Sequence, residues 1–181
     1  MMELINDENS RLPLLSYQGD GRQFFATANE PYRPNGQIER RQGYKDCLSG
    51  KSSVDLIQNW CAQMDYAGYR LGHEADEYVL FKNIVSRFIM ELEGLDKARV
   101  EFSPKLNCLV YSENDGVGRF VQNLSAGYQS VFCLVMELAY RTALLNPALD
   151  SLKNLEGVVI IDEIDMHLHP RWQWNCCRNY I

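Results

Sequence analysis

The sequence predicts an α/β fold, and three observations carry that expectation. Residues 157–161 are a short, continuous, mostly β-branched apolar run, the pattern of a strand buried on both faces as in a parallel sheet. Upstream, Val131, Leu134, Val135, Leu138, Thr142 and Leu145 recur at helical spacing and stop at Asn146 and Pro147, which describes a long amphipathic helix with a natural breaker. Residues 98–102 and 107–111 read as two strands of a hairpin around Ser103, Pro104 and Lys105.

The remaining elements follow in chain order. A polar run over residues 3–10 leads into a strand over 12–17. Residues 21–50 hold Pro31, Pro34 and several glycines, and so read mostly as loop with short strands. A helical region covers 54–95. Its first helix, 54–65, places Leu56, Ile57, Trp60 and Cys61 on one stripe, and its second, 77–92, places Val79, Leu80, Ile84 and Phe88 on another. Core packing accounts for both stripes. The hairpin comes next, then the segment 121–146 with its helix, then the strand and following loop over 157–170. With no repeat and no low-complexity tract, residues 1–181 read as one α/β body with a helical subdomain.

Composition narrows the class. At 181 residues the chain is long enough for one real core. No apolar run approaches membrane-spanning length, and no basic stretch followed by an apolar one marks a leader, so a cytoplasmic protein without a membrane partner is expected. Cysteines at 47, 61, 108, 133, 176 and 177 form neither a metal-binding spacing nor a secreted disulfide framework, which fits free thiols in a reducing compartment. A net charge of −6 argues against a protein that coats DNA. Arg11, Arg22, Arg33, Arg40, Arg41 and Lys45 make the first quarter locally basic, but they are scattered, as on a solvated face.

Two segments carry chemistry. The apolar run 157–161 leads directly into Asp162 and Glu163, at the carboxyl end of a strand, where open α/β sheets bind ligands. A sheet whose last residues merely reach solvent ends the same way, so the pair alone leaves both readings open. Ser125 is a natural N-cap for the 131–145 helix, and Gly127 lets a ligand approach the backbone. The helix N-terminus would then face outward, ready for a phosphate. An ordinary capped helix packed on a sheet would use the same residues.

Taken together and in this order, the two segments resemble the signature sequence and Walker B strand of ABC-type ATPases, more closely the branch holding SMC, RecF and OLD-type proteins. Leu124-Ser125-Ala126-Gly127-Tyr128 through Arg141, Leu145-Asn146-Pro147, and residues 161–173 are similar to bacterial AAA-family ATPases, some of which work beside nucleases in phage defence. The likeness is specific over residues 121–173 and weaker at 12–22 and 43–47. It implies a P-loop NTPase-type partial domain with a helical signature subdomain, and ATP and Mg²⁺ as cofactors. It also implies a nucleotide sandwiched between two subunits, as a homodimer or with an intact homologous ATPase, and coupling to a nuclease partner or to DNA. Carried over residue by residue, Asp162 would sit near Mg²⁺ and Glu163 would be the catalytic base. Ser125 and Gly127 would touch the γ-phosphate bound by the opposite subunit. Asp165 would join the nucleotide-contacting residues, in the loop through His169 that faces the partner. Tyr128 departs from the family, which usually has Gln or Glu directly after the signature glycine, so Gln129 has no assigned role.

A phosphate-binding loop needs Gly-x-x-x-x-Gly-Lys-Ser/Thr. The only Gly-Lys-Ser is Gly50-Lys51-Ser52, where Lys45 stands in place of the first glycine and Gly43 comes two positions early. This stretch reads as a loop entering a helix, with Ser52 or Ser53 as cap. No histidine-bearing strand follows the Walker B segment either. These gaps, with the abrupt start and end, predict an internal piece of a longer ATPase that is inactive alone. Two alternatives stay open: a non-catalytic remnant that caps ATP held by an intact homologue, and a metal-dependent hydrolase using Asp162, Asp165, His167 and His169, since imidazole suits zinc.

Overall fold

Val54–Leu71 and Asp76–Glu93 form two successive helices, α1 and α2, in a computed structural model that describes residues 10–19, 39–50, 54–114, 116–149 and 155–163. Both helices outrun the lengths read from their apolar spacing. Their buried faces are also rotated slightly from the expected stripes. Leu56 and Val79 are exposed, while Met64 and Tyr78 are buried instead. The reason is the third helix, α3 (Ala126–Leu145), which meets α1 and α2 from one side and so selects Ile57, Trp60 and Cys61 on α1.

Trp60 is the centre of that packing. Its indole stands edge-on to Tyr78, Phe81 and Tyr140, with ring centroids 5.9, 5.3 and 5.2 Å away. Such edge-to-face pairs contribute about 0.5–1.5 kcal/mol each beyond the area they bury.

The hairpin read from the sequence is present as β2 (Ala98–Ser103) and β3 (Cys108–Glu113), antiparallel, with Val100 opposite Tyr111. A short third strand, β4 (Arg119–Phe120), pairs with β3. Two residues are too few to show a period in sequence. The free edge of β2 is covered by α2: the Val100 N–H donates to Ser86 Oγ at 3.1 Å and the Phe102 N–H to Tyr78 Oη at 3.3 Å. Hydroxyls on a helix thus satisfy donors that would otherwise invite another strand.

The second sheet is a parallel pair. β1 (Leu14–Gln18) lies beside β5 (Gly157–Ile161), Leu14 opposite Gly157 and Gln18 opposite Ile161. Parallel neighbours need a long crossover, and here the three helices and the antiparallel sheet all lie between them in sequence. Gly157 is required at its place, since a Cβ there would come within 2.2 Å of the Leu14 carbonyl oxygen.

Two expectations need correction. β5 is not buried on both faces among the described residues: Val158 is 58% and Ile160 53% exposed. β1 covers one edge only, and α3 packs on β1. The helix α3, conversely, is not amphipathic with a single stripe. Phe132, Met136, Ala139, Tyr140 and Ala143 are buried along with Val135 and Leu145, because α1, α2, β1 and the 40–44 turn surround it. Residues 40–44 themselves form a 3₁₀ turn and no strand.

Candidate functional site

Asp162 and Glu163 follow β5 directly, at the carboxyl end of the parallel pair. The position follows from the backbone: the Asp162 N–H donates to the Gln18 carbonyl at 2.8 Å, extending the ladder one step past the strand. The Asp162 side chain lies on the same strand face as Ile160, and therefore near Tyr17, which pairs with Ile160. The Tyr17 hydroxyl stands 3.4 Å from Asp162 Oδ2, a long contact at the edge of hydrogen-bonding range. Both acids are exposed.

Glu163 has φ +47°, in the left-handed region. For a side chain of this kind that conformation costs on the order of 1–2 kcal/mol, and such positions cluster where chemistry is done.

Ser125 caps α3 as expected. Its Oγ accepts from the Tyr128 N–H at 3.5 Å, and its carbonyl accepts the first helical bond from Gln129. Ser125 is exposed, whereas Gly127 is buried in the first turn and does not stand open to solvent in this chain. Gln129, left without a role by the sequence, donates from its side-chain amide to the Leu124 carbonyl at 2.8 Å and so ties down the residue before Ser125. That local hydrogen bond has no sequence signature.

The structure keeps the two segments on separate elements. Ser125 and Gly127 head α3; Asp162 and Glu163 end β5. They are joined through the far end of α3, where Asn146 pairs with the backbone of Leu12, accepting from its N–H and donating to its carbonyl, both at 2.8 Å. Leu145 packs there against Leu12 and Leu14. A 20-residue helix is about 30 Å long, so Ser125 stands far from that anchor.

Asp165, His167, His169, Cys176 and Cys177 lie outside the described residues, as do Lys51, Ser52 and Ser53. Among the described residues no group of three metal-ligating side chains converges, and no helix is long and apolar enough to cross a membrane. Cys47, Cys61, Cys108 and Cys133 are free thiols. An exposed carboxylate suits Mg²⁺, which takes one or two carboxylates and fills its shell with water and phosphate oxygens.

No family model matches the chain. It is similar to the retron Vc95 probable ATPase of Vibrio cholerae serotype O1 biovar El Tor, 39% identical over 82 residues, 45% of this chain and 16% of that protein. It is 40% identical over 86 residues to the retron Ec83 probable ATPase of Escherichia coli, 46% of this chain and 15% of that one. Against the Septu protein PtuA of Bacillus thuringiensis it is 36% identical over 160 residues, covering 84% of this chain and 38% of the relative. The chain thus spans well under half the length of each.

Proposed function

We propose that the chain is part of an ATPase of the P-loop type, ABC-like in its signature and Walker B segments, that works as a dimer in phage defence. The observation that carries this is the Asp162–Glu163 pair at the carboxyl end of the parallel strands, on a chain similar to two proteins named as probable ATPases. In this reading Asp162 holds Mg²⁺ and Glu163 accepts the proton of the attacking water. Mg²⁺, when bound with ATP, neutralises phosphate charge. Ser125 meets the γ-phosphate held by the opposite subunit, which its exposed place at the helix N-terminus supports. Gly127, buried in the same turn of this chain, would reach the nucleotide only if that turn shifts on dimerisation, and Asp165 would add a further contact. A nuclease partner or DNA would receive the output.

The test is to purify the chain alone and together with an intact homologous ATPase that carries a phosphate-binding loop. Alone it should turn over ATP negligibly. With the intact subunit, Mg²⁺ and a non-hydrolysable ATP analogue, sedimentation should show a complex that Ser125→Arg weakens about tenfold, close to 1.4 kcal/mol. Association indifferent to nucleotide, or turnover by the chain alone that survives Glu163→Gln, would refute the reading.

A further inference from the structure

We propose that Tyr17 is a positioning residue for Asp162, and that its ring is set in place by the turn over residues 47–50. This rests on the reading of Asp162 as the Mg²⁺-holding carboxylate.

Three independent contacts converge on Tyr17. Its hydroxyl reaches toward Asp162 Oδ2 at 3.4 Å. Its backbone N–H donates to the Cys47 carbonyl at 2.7 Å, so the turn is bonded to β1 at this residue. Its ring lies on Gly50, where a Cβ would come within 2.7 Å of Cε1 and 3.1 Å of Cδ1. Gly50 has φ +67°, a conformation that favours glycine, and it also touches Gly19, whose own Cβ would meet the Gly50 carbonyl oxygen at 2.9 Å. A side chain at position 50 would therefore press on the ring where it now lies.

The turn is itself held from below. Arg141 of α3 is fully buried and donates to the carbonyls of Gly43 at 2.8 Å and Lys45 at 2.9 Å. Glu137 fixes the guanidinium by accepting from two of its nitrogens, at 3.1 and 2.8 Å. A contiguous chain of bonds therefore runs from α3 through residues 43–47 to Tyr17 and the Asp162 carboxylate. An exposed carboxylate has several rotamers of similar energy. A hydroxyl on a ring packed against Gly50 favours the rotamer it reaches.

The experiment uses the full chain and Mn²⁺ as the probe, read by paramagnetic broadening of assigned backbone amides next to Asp162. Wild type should show saturable broadening at residues 161–163 that Asp162→Asn abolishes. Tyr17→Phe, which keeps the ring and removes only the hydroxyl, should weaken Mn²⁺ binding about threefold with an unchanged amide spectrum elsewhere. Gly50→Ala should weaken it too in the Tyr17 chain, but add nothing in a Tyr17→Phe background, the non-additivity expected of one path. Equal Mn²⁺ affinity in wild type and Tyr17→Phe would overturn the positioning role while the metal reading of Asp162 stands. Broadening in wild type no greater than in Asp162→Asn would overturn both, since there would be no site to position.

Discussion

Arg141 brings a full charge into the core, and its energetics depend on every one of its bonds being made. Burying a guanidinium is costly unless it is paired and hydrogen-bonded, and here Glu137 and two backbone carbonyls complete it. Arg141→Met should lower unfolding stability by about 3–5 kcal/mol, because it strands the Glu137 carboxylate. Glu137→Leu with Arg141→Met should cost less than the single change. Urea midpoints of the three proteins check this. The core also carries titratable groups that bury well only when neutral. Burial pushes the Cys61 thiol well above its ordinary 9.0 and the Tyr140 phenol up to about 12, with Tyr78 raised further. Such groups ionise first in the unfolded chain, so the folded state binds more protons there and stability falls as pH rises. It should hold up to about pH 9 and decline from there through about 12, as denaturant midpoints across that range will show.

At the scale of elements, the two sheets treat their edges differently. β2 has its outward N–H groups covered by Ser86 and Tyr78 of α2. β5 has no described neighbour on its outer edge and exposes Val158, Val159 and Ile160. A flat apolar edge strand is a template for pairing with another chain. Val159→Lys should therefore suppress concentration-dependent self-association in sedimentation, and change stability by no more than about 0.5 kcal/mol, since the side chain is already substantially exposed. The same element shows where pattern reading stops. A continuous apolar run correctly signals a strand paired in parallel, but apolarity does not reveal whether a neighbour is there to bury it.

Across the whole molecule, packing is divided unequally. One large cluster joins α1, α2, α3 and the β2–β3 hairpin, with Ile57, Cys61, Phe81, Leu109, Val121 and Met136 at its centre. A small one, built on Leu12, Leu14 and Leu145, holds the parallel pair. Regions with few buried apolar contacts open locally at lower free energy. Amide exchange should accordingly leave α1–α3 protected nearly to global unfolding, while β1 and β5 exchange faster by sub-global opening. Uniform protection across both sheets would contradict this. The division matters for the proposed site, because Asp162 and Glu163 stand on the less stable part and depend on α3 for their support.

Local pattern was enough to read the helices, the hairpin, the capping of α3 by Ser125 and the place of Asp162 and Glu163 at a strand end, since each depends on residues adjacent in sequence. Even there, the partners of each helix stayed hidden: Leu56 and Val79 turned outward, and α3 proved enclosed on nearly all sides. The tertiary structure alone decided that β1 pairs with β5 across the long stretch from Gln18 to Gly157, that Arg141 grips the 43–45 backbone, and that Tyr17 reaches Asp162. The reason is that these contacts join segments far apart along the chain. Periodicity reports which side of an element is apolar; which element comes to lie against that side is settled by closing long loops and packing the pieces at a common density.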